Sequence, residues 1–120
     1  DVPFFLFDQP MLAKGIGTEL SPISVGLEGR LAWTIPSVHS STVAAYKALD
    51  YRMFNPARDL TKVLSQPVHS WKDQLENDLE VPVFDLYPEL RKIKEDYYQA
   101  GALYAAMSGS GSTVFAIMPA

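Results

Sequence analysis

Two glycines alternate with serines in Ser108-Gly109-Ser110-Gly111-Ser112-Thr113, between two short apolar runs, Ala102 to Met107 and Thr113 to Met118. Glycine reaches positive φ without steric penalty, so successive backbone N–H groups can be turned toward one point. A concavity of that kind holds anions, phosphate above all, and the serine hydroxyls add donors without bulk. The same composition also describes a plain flexible hairpin between strands, and the residues alone leave both readings open. No lysine follows the glycines at the spacing of a Walker A loop, which excludes that motif.

Other chemistry is sparse. His39 and His69 stand far apart and no HExxH run occurs, so a zinc centre is not expected. His39 has no adjacent carboxylate and reads as an ordinary surface or core histidine; with Pro36 it could shape a groove entrance. The chain has no cysteine, which removes disulfides and thiolate metal sites and fits a reducing, cytoplasmic compartment. A net charge of −4 argues against a general nucleic-acid binder. Apolar stretches of only a few residues argue against a membrane span, and no membrane partner is expected.

The elements that must position the loop follow from periodicity and punctuation. The final apolar runs read as two strands flanking it. Arg30 to Ile35 reads as a third strand, stopped by Pro36. Ser40 or Ser41 is a good N-cap for a helix from Thr42 to Leu49, with Val43, Tyr46 and Leu49 at helical spacing. Asn55-Pro56 breaks the chain, and Leu60 to Leu64 suits a short helical piece. Ser70-Trp71-Lys72-Asp73 resembles a capping box, with Leu75 and Leu79 following on one face. Pro88 and Glu89 open a helix whose buried stripe is Leu90, Ile93 and Tyr97, and Gly101 ends it. Arg91, Lys92, Lys94, Glu95 and Asp96 read as its solvated face. Trp33 and Trp71 read as core or boundary residues. Further upstream, Met11 to Ala13 enters a turn at Lys14-Gly15-Ile16-Gly17, and Leu20 to Ile23 resumes an extended path.

At 120 residues, 48% hydrophobic, the chain can build one real core. Strand, helices, then a pair of strands imply an α+β fold, an antiparallel sheet with helices packed on one face. The start at Asp1-Val2-Pro3 and the stop at Pro119-Ala120, just after a strand, read as the ends of a piece of a longer protein.

Four runs occur in this order: Asp1-Val2-Pro3-Phe4-Phe5, Gly15-Ile16-Gly17-Thr18-Glu19, Asn77-Asp78-Leu79-Glu80, and Met107 to Ala116. Together they resemble the 4-diphosphocytidyl-2-C-methyl-D-erythritol kinases, of the GHMP superfamily that includes galactokinase, homoserine kinase, mevalonate kinase and phosphomevalonate kinase. The resemblance spans essentially the whole chain. It implies residues 1–25 as the tail of an N-terminal lobe and 26–120 as a C-terminal domain of ferredoxin-like type. The lobe carrying the main ATP loop would be the missing partner.

The implied reaction moves the ATP γ-phosphoryl group to the tertiary 2-hydroxyl of a cytidine-diphosphate-methylerythritol substrate, a step of non-mevalonate isoprenoid biosynthesis. ATP is the implied co-substrate, with Mg2+ expected beside it. Asp1 is the implied proton acceptor. Ser108, Gly109, Ser110, Gly111 and Ser112 are the implied phosphate contacts, with the N–H groups of Gly109 to Ser112 as donors. On that basis, Gly111→Val is expected to damage activity more than folding. Thr42 and Tyr46, one turn apart, are the implied contacts to the cytidine end, against the alternative that Tyr46 is core. The Asn77–Glu80 run reads as structural, with Asn and Asp tying loops through local hydrogen bonds. Another GHMP small-molecule kinase, or a non-catalytic α+β binding module, are the rival readings.

Overall fold

A computed structural model describes residues 2–50 and 59–120. Asp1 and the Asn55-Pro56 break lie outside the described residues. A 3-10 turn, Val2–Leu6, leads to a hairpin of β1 (Met11–Lys14) and β2 (Glu19–Pro22), closed by the expected glycine turn. The main sheet joins β3 (Arg30–Thr34), β4 (Tyr104–Met107) and β5 (Val114–Met118), all antiparallel, in the order β3-β5-β4. The helices are α1 (Thr42–Lys47), α2 (Leu60–Leu64), α3 (Glu80–Leu86) and α4 (Pro88–Gln99).

Alternation along the strands divides the core in two. On one face, Met107 meets Ala45 of α1, Leu79, Val83 and Phe84 of the α3 region, and Leu90 of α4. This is the expected helical layer, with Ile93 packed at its margin. On the other face, Tyr104, Ala106 and Ile117 are covered by Val63 of α2, Val68 and Trp71. Trp33 departs from its sequence reading. It pairs with Phe115 on this second face but lies on the outer strand β3 and is 60% exposed.

The helix ends show why these stretches are helical. The Ser41 hydroxyl accepts the Ala44 N–H at 3.2 Å, so Ser41 and not Ser40 caps α1. Asp59 does the same for α2 through Lys62 N–H, 3.1 Å. Gly101, at φ +100°, ends α4 as expected. Its N–H donates to Tyr98 O and the Ala102 N–H to Tyr97 O, the paired bonds of a Schellman motif.

The Ser70–Asp73 capping box is not formed. Val68–Ser70 is a single 3-10 turn, and the chain turns again at Trp71, whose carbonyl accepts from both Gln74 and Leu75 N–H. Packing overrides the local signal. The Trp71 ring is buried edge-on against Tyr104, 5.7 Å between centroids, and the Tyr104 hydroxyl donates to the Leu75 carbonyl at 2.8 Å. Leu75 is thereby tied to the sheet and the next helix starts only at Glu80.

That hydroxyl gives a pH prediction. Burial, then the nearby Glu80 carboxylate, push the Tyr104 phenol well above its ordinary range, and burial likewise raises Tyr98. The folded state therefore holds these protons more tightly than the unfolded chain, whose tyrosines ionise near pH ~10. The stabilisation is complete below that pH and is lost as pH rises above it. Urea midpoints should fall progressively as pH rises above about 10, and Tyr104→Phe should flatten the fall. The same variant should cost about 1 kcal/mol at neutral pH, because the Leu75 carbonyl loses its donor.

Candidate functional site

The serine-glycine loop sits at the β4–β5 turn, where the sequence put it. Its base is closed by Ser108 N–H donating to Thr113 O at 2.8 Å, and its tip by Gly111 N–H donating to Ser108 O at 2.9 Å. Gly109 and Gly111 have φ of +55° and +89°, the left-handed values the sequence reading requires. One expected donor is corrected. Gly111 N–H is spent inside the loop, so it is not available to a ligand. The N–H groups of Gly109, Ser110 and Ser112 have no acceptor among the described residues. They are the groups an anion could satisfy.

Gly111 is the tight point. A Cβ there would meet Met107 Sδ at 3.0 Å and Ser40 Cβ at 3.4 Å, and both residues are buried. Gly109 faces open space instead.

The loop is held from three directions. One is the hairpin itself. A second is α1, where the Thr42 and Ser110 hydroxyls lie 2.8 Å apart in a hydrogen bond. The third is the Asn77–Glu80 run. Asn77 Nδ2 donates to Met107 O at 3.0 Å and to Gly109 O at 2.7 Å, and Asn77 Oδ1 accepts the Leu79 N–H at 3.1 Å. Only one orientation of the amide satisfies all three partners. Glu80 Oε2 accepts the Met107 N–H at 2.8 Å, and Glu80 Oε1 pairs with Lys94 Nζ at 2.6 Å. Because β4 is an outer strand, the N–H and C=O of Met107 both face its open edge, and this run takes both.

The sequence reading is thus half right about this run. Asn77 does make a local bond, but its reach across the fold and the whole role of Glu80 were missed. A signal existed: Glu80 is a lone carboxylate between Leu79 and the buried Pro82, Val83 and Phe84. Lys94, which the sequence places on the solvated face of α4, has a side chain only 28% exposed. It follows Ile93 at the edge of the buried stripe, and its amine turns in to Glu80.

The remaining candidates are placed as follows. Thr42 is at the loop. Tyr46, one turn on, is 51% exposed, so the core alternative is excluded for it. His39 is exposed. A cleft of about 680 Å³ lies beside Asn77 and Glu80 and is walled by α3 and residues 72–78, but no residue of 108–113 lines it. The free N–H groups open elsewhere. Among the described residues, no three His, Cys, Asp or Glu side chains converge as metal ligands, and no helix is long and apolar enough to cross a membrane.

Comparison with known proteins adds four findings. Residues 60–120 match the family described as GHMP kinases C terminal. The chain is 43% identical over 118 residues to the 4-diphosphocytidyl-2-C-methyl-D-erythritol kinase of Azobacteroides pseudotrichonymphae, covering 98% of this chain and 44% of that protein. It is 41% identical over 120 residues to the enzyme of the same name from Chlorobium limicola, covering 96% and 42%. A crystal structure of 4-(cytidine 5'-diphospho)-2C-methyl-D-erythritol kinase superposes with a TM-score of 0.79 at 29% identity, over 98% of this chain and 43% of that one. The chain therefore spans less than half the length of the relatives it matches.

Proposed function

The chain belongs to the GHMP kinases, and from that premise we propose that it is the C-terminal part of an ATP-dependent kinase acting on 4-diphosphocytidyl-2-C-methyl-D-erythritol. Its relatives of that name align along nearly all of it. In this reading residues 1–25 are the tail of the N-terminal lobe, 26–120 form the C-terminal domain, and that lobe is the partner that completes the site. The compartment is the cytoplasm.

The observation that carries the proposal is the loop. Three N–H groups without acceptors among the described residues, at Gly109, Ser110 and Ser112, stand on a tied hairpin. Phosphoryl transfer needs little covalent participation from protein and much fixed positive potential around the moving phosphate. Preoriented N–H groups supply that potential without reorganising as the reaction proceeds. The phosphates of ATP fit them by charge and hydrogen bonding. Magnesium would accompany ATP, bound chiefly through the phosphates and water; among the described residues no three His, Cys, Asp or Glu side chains converge on one point.

Asp1 is the proposed base, accepting the proton of the 2-hydroxyl as it attacks the γ-phosphorus. Thr42 and Tyr46 are proposed to flank the substrate, with Thr42 also steadying Ser110. The test is phosphoryl transfer by the full-length protein from labelled ATP to the cytidyl substrate, with mevalonate and homoserine alongside. Label on the cytidyl substrate alone is expected, and Asp1→Asn should lower kcat by about 100-fold. Transfer to another acceptor would move the chain elsewhere in the superfamily. No transfer by a folded protein would favour a binding module.

A further inference from the structure

The geometry points to Asn77 as a positioning residue that aims the Ser110 N–H at the phosphate site, acting through the Gly109 carbonyl without touching a ligand. This rests on the reading of the loop proposed above. The side chain makes one local bond and two distant ones. Accepting the Leu79 N–H closes the turn before α3, and that bond alone fulfils the role Asn ordinarily plays near a helix start. The two donated bonds are not needed for that turn. They cross 30 and 32 residues to grip Met107 at the entry of the loop and Gly109 within it.

The grip on Gly109 has a directional consequence. The Gly109 carbonyl and the Ser110 N–H belong to one planar peptide unit and point in opposite directions across it. With the oxygen fixed on Asn77 at 2.7 Å, the Ser110 N–H is turned away from Asn77 and held there. The same logic applies at the loop entry. Fixing the Met107 carbonyl sets the Ser108 peptide, whose N–H closes the hairpin onto Thr113 O. Glycine at 109 has the widest backbone freedom of any residue, so its peptide needs such an external restraint. The hydroxyl bond from Thr42 holds the Ser110 side chain, not its peptide plane.

Asn77→Asp separates the two roles. Aspartate keeps an acceptor for the Leu79 N–H at nearly the same volume, but sets an oxygen without hydrogen against two carbonyl oxygens. In the full-length enzyme, kcat/KM for ATP is expected to fall by about 10- to 100-fold, the scale of a misplacement near 1 Å. KM for the cytidyl substrate should stay within about twofold of wild type, a split that general loss of structure would not produce. An unchanged kcat/KM for ATP, or a KM for the cytidyl substrate raised well beyond twofold, overturns the assignment. If the aspartate variant does not fold, Asn77→Ser is read by the same criteria, since its shorter side chain keeps a local acceptor and loses the reach to Gly109.

Wild-type turnover is measured first, so that failure of the kinase reading is seen separately. In that event amide exchange decides. Faster exchange at the bonded Ser108 and Gly111 N–H groups in Asn77→Ser supports the grip, and unchanged exchange overturns it.

Discussion

Glu80→Ala is expected to destabilise the fold by about 2–4 kcal/mol. Glu80 is buried, 9% exposed, and its carboxylate accepts the Met107 N–H, which sits on the outer edge of β4. Truncation leaves that donor buried and unpaired, which costs roughly 1–3 kcal/mol by itself. Lys94 also loses its partner, but its side chain is 28% exposed and can turn to water, so the full penalty of a stranded buried charge does not apply. Glu80→Gln retains an amide oxygen for Met107 and should cost only about 1 kcal/mol. Urea denaturation of the wild type and both variants checks the order. A change below about 0.5 kcal/mol for Glu80→Ala would show that water or a neighbour already serves Met107.

Gly111→Val is expected to lower kcat/KM for ATP by about 1,000-fold, since displacing the tip disturbs several donors at once and one such donor is commonly worth 100- to 1,000-fold. At φ +89° a β-branched residue is strained whatever the surrounding space. Here the space is also absent, with Met107 Sδ 3.0 Å and Ser40 Cβ 3.4 Å from the new Cβ. Met107 belongs to the buried core cluster with Ala45, Val83 and Leu90, so the collision reaches the fold itself. A loss of about 2–3 kcal/mol in stability should accompany the loss of activity, smaller than the roughly 4 kcal/mol that a 1,000-fold fall represents, so activity suffers more than folding. Gly109→Ala is the contrasting variant. Its Cβ meets nothing within 4 Å, so only the cost of φ +55° remains, about 1 kcal/mol. Kinetics and denaturation on both variants test the contrast. Equal effects at the two glycines would mean that packing under the loop is irrelevant.

Much of the architecture was legible because local signals and tertiary structure agree there. Pro88, the Leu90-Ile93-Tyr97 stripe and Gly101 each announce a part of α4, and all are used. The apolar runs around the serine-glycine loop became β4 and β5 within two residues of expectation. The failures share a cause. Ser70–Asp73 has the local chemistry of a helix start, yet the burial of Trp71 against Tyr104 governs that segment, and this contact is 33 residues distant in sequence. Trp33 looks like core until the sheet order leaves β3 at an edge. Glu80 and Lys94 look like surface charges until the outer edge of β4 is seen to need an acceptor. Periodicity reports which face of an element is apolar. It does not report which backbone groups on another element lack partners, and the polar part of this site is made of such groups.

The loop N–H groups at Gly109, Ser110 and Ser112 are proposed to hold a phosphate of ATP. The most direct measurement is the amide resonances of these residues in the full-length protein as a non-hydrolysable ATP analogue is added. All three should shift together, saturably, with a midpoint equal to the analogue's dissociation constant, while the cytidyl substrate alone leaves them largely unmoved. Saturable binding of the analogue with these three amides unchanged would contradict the account and place the phosphates elsewhere.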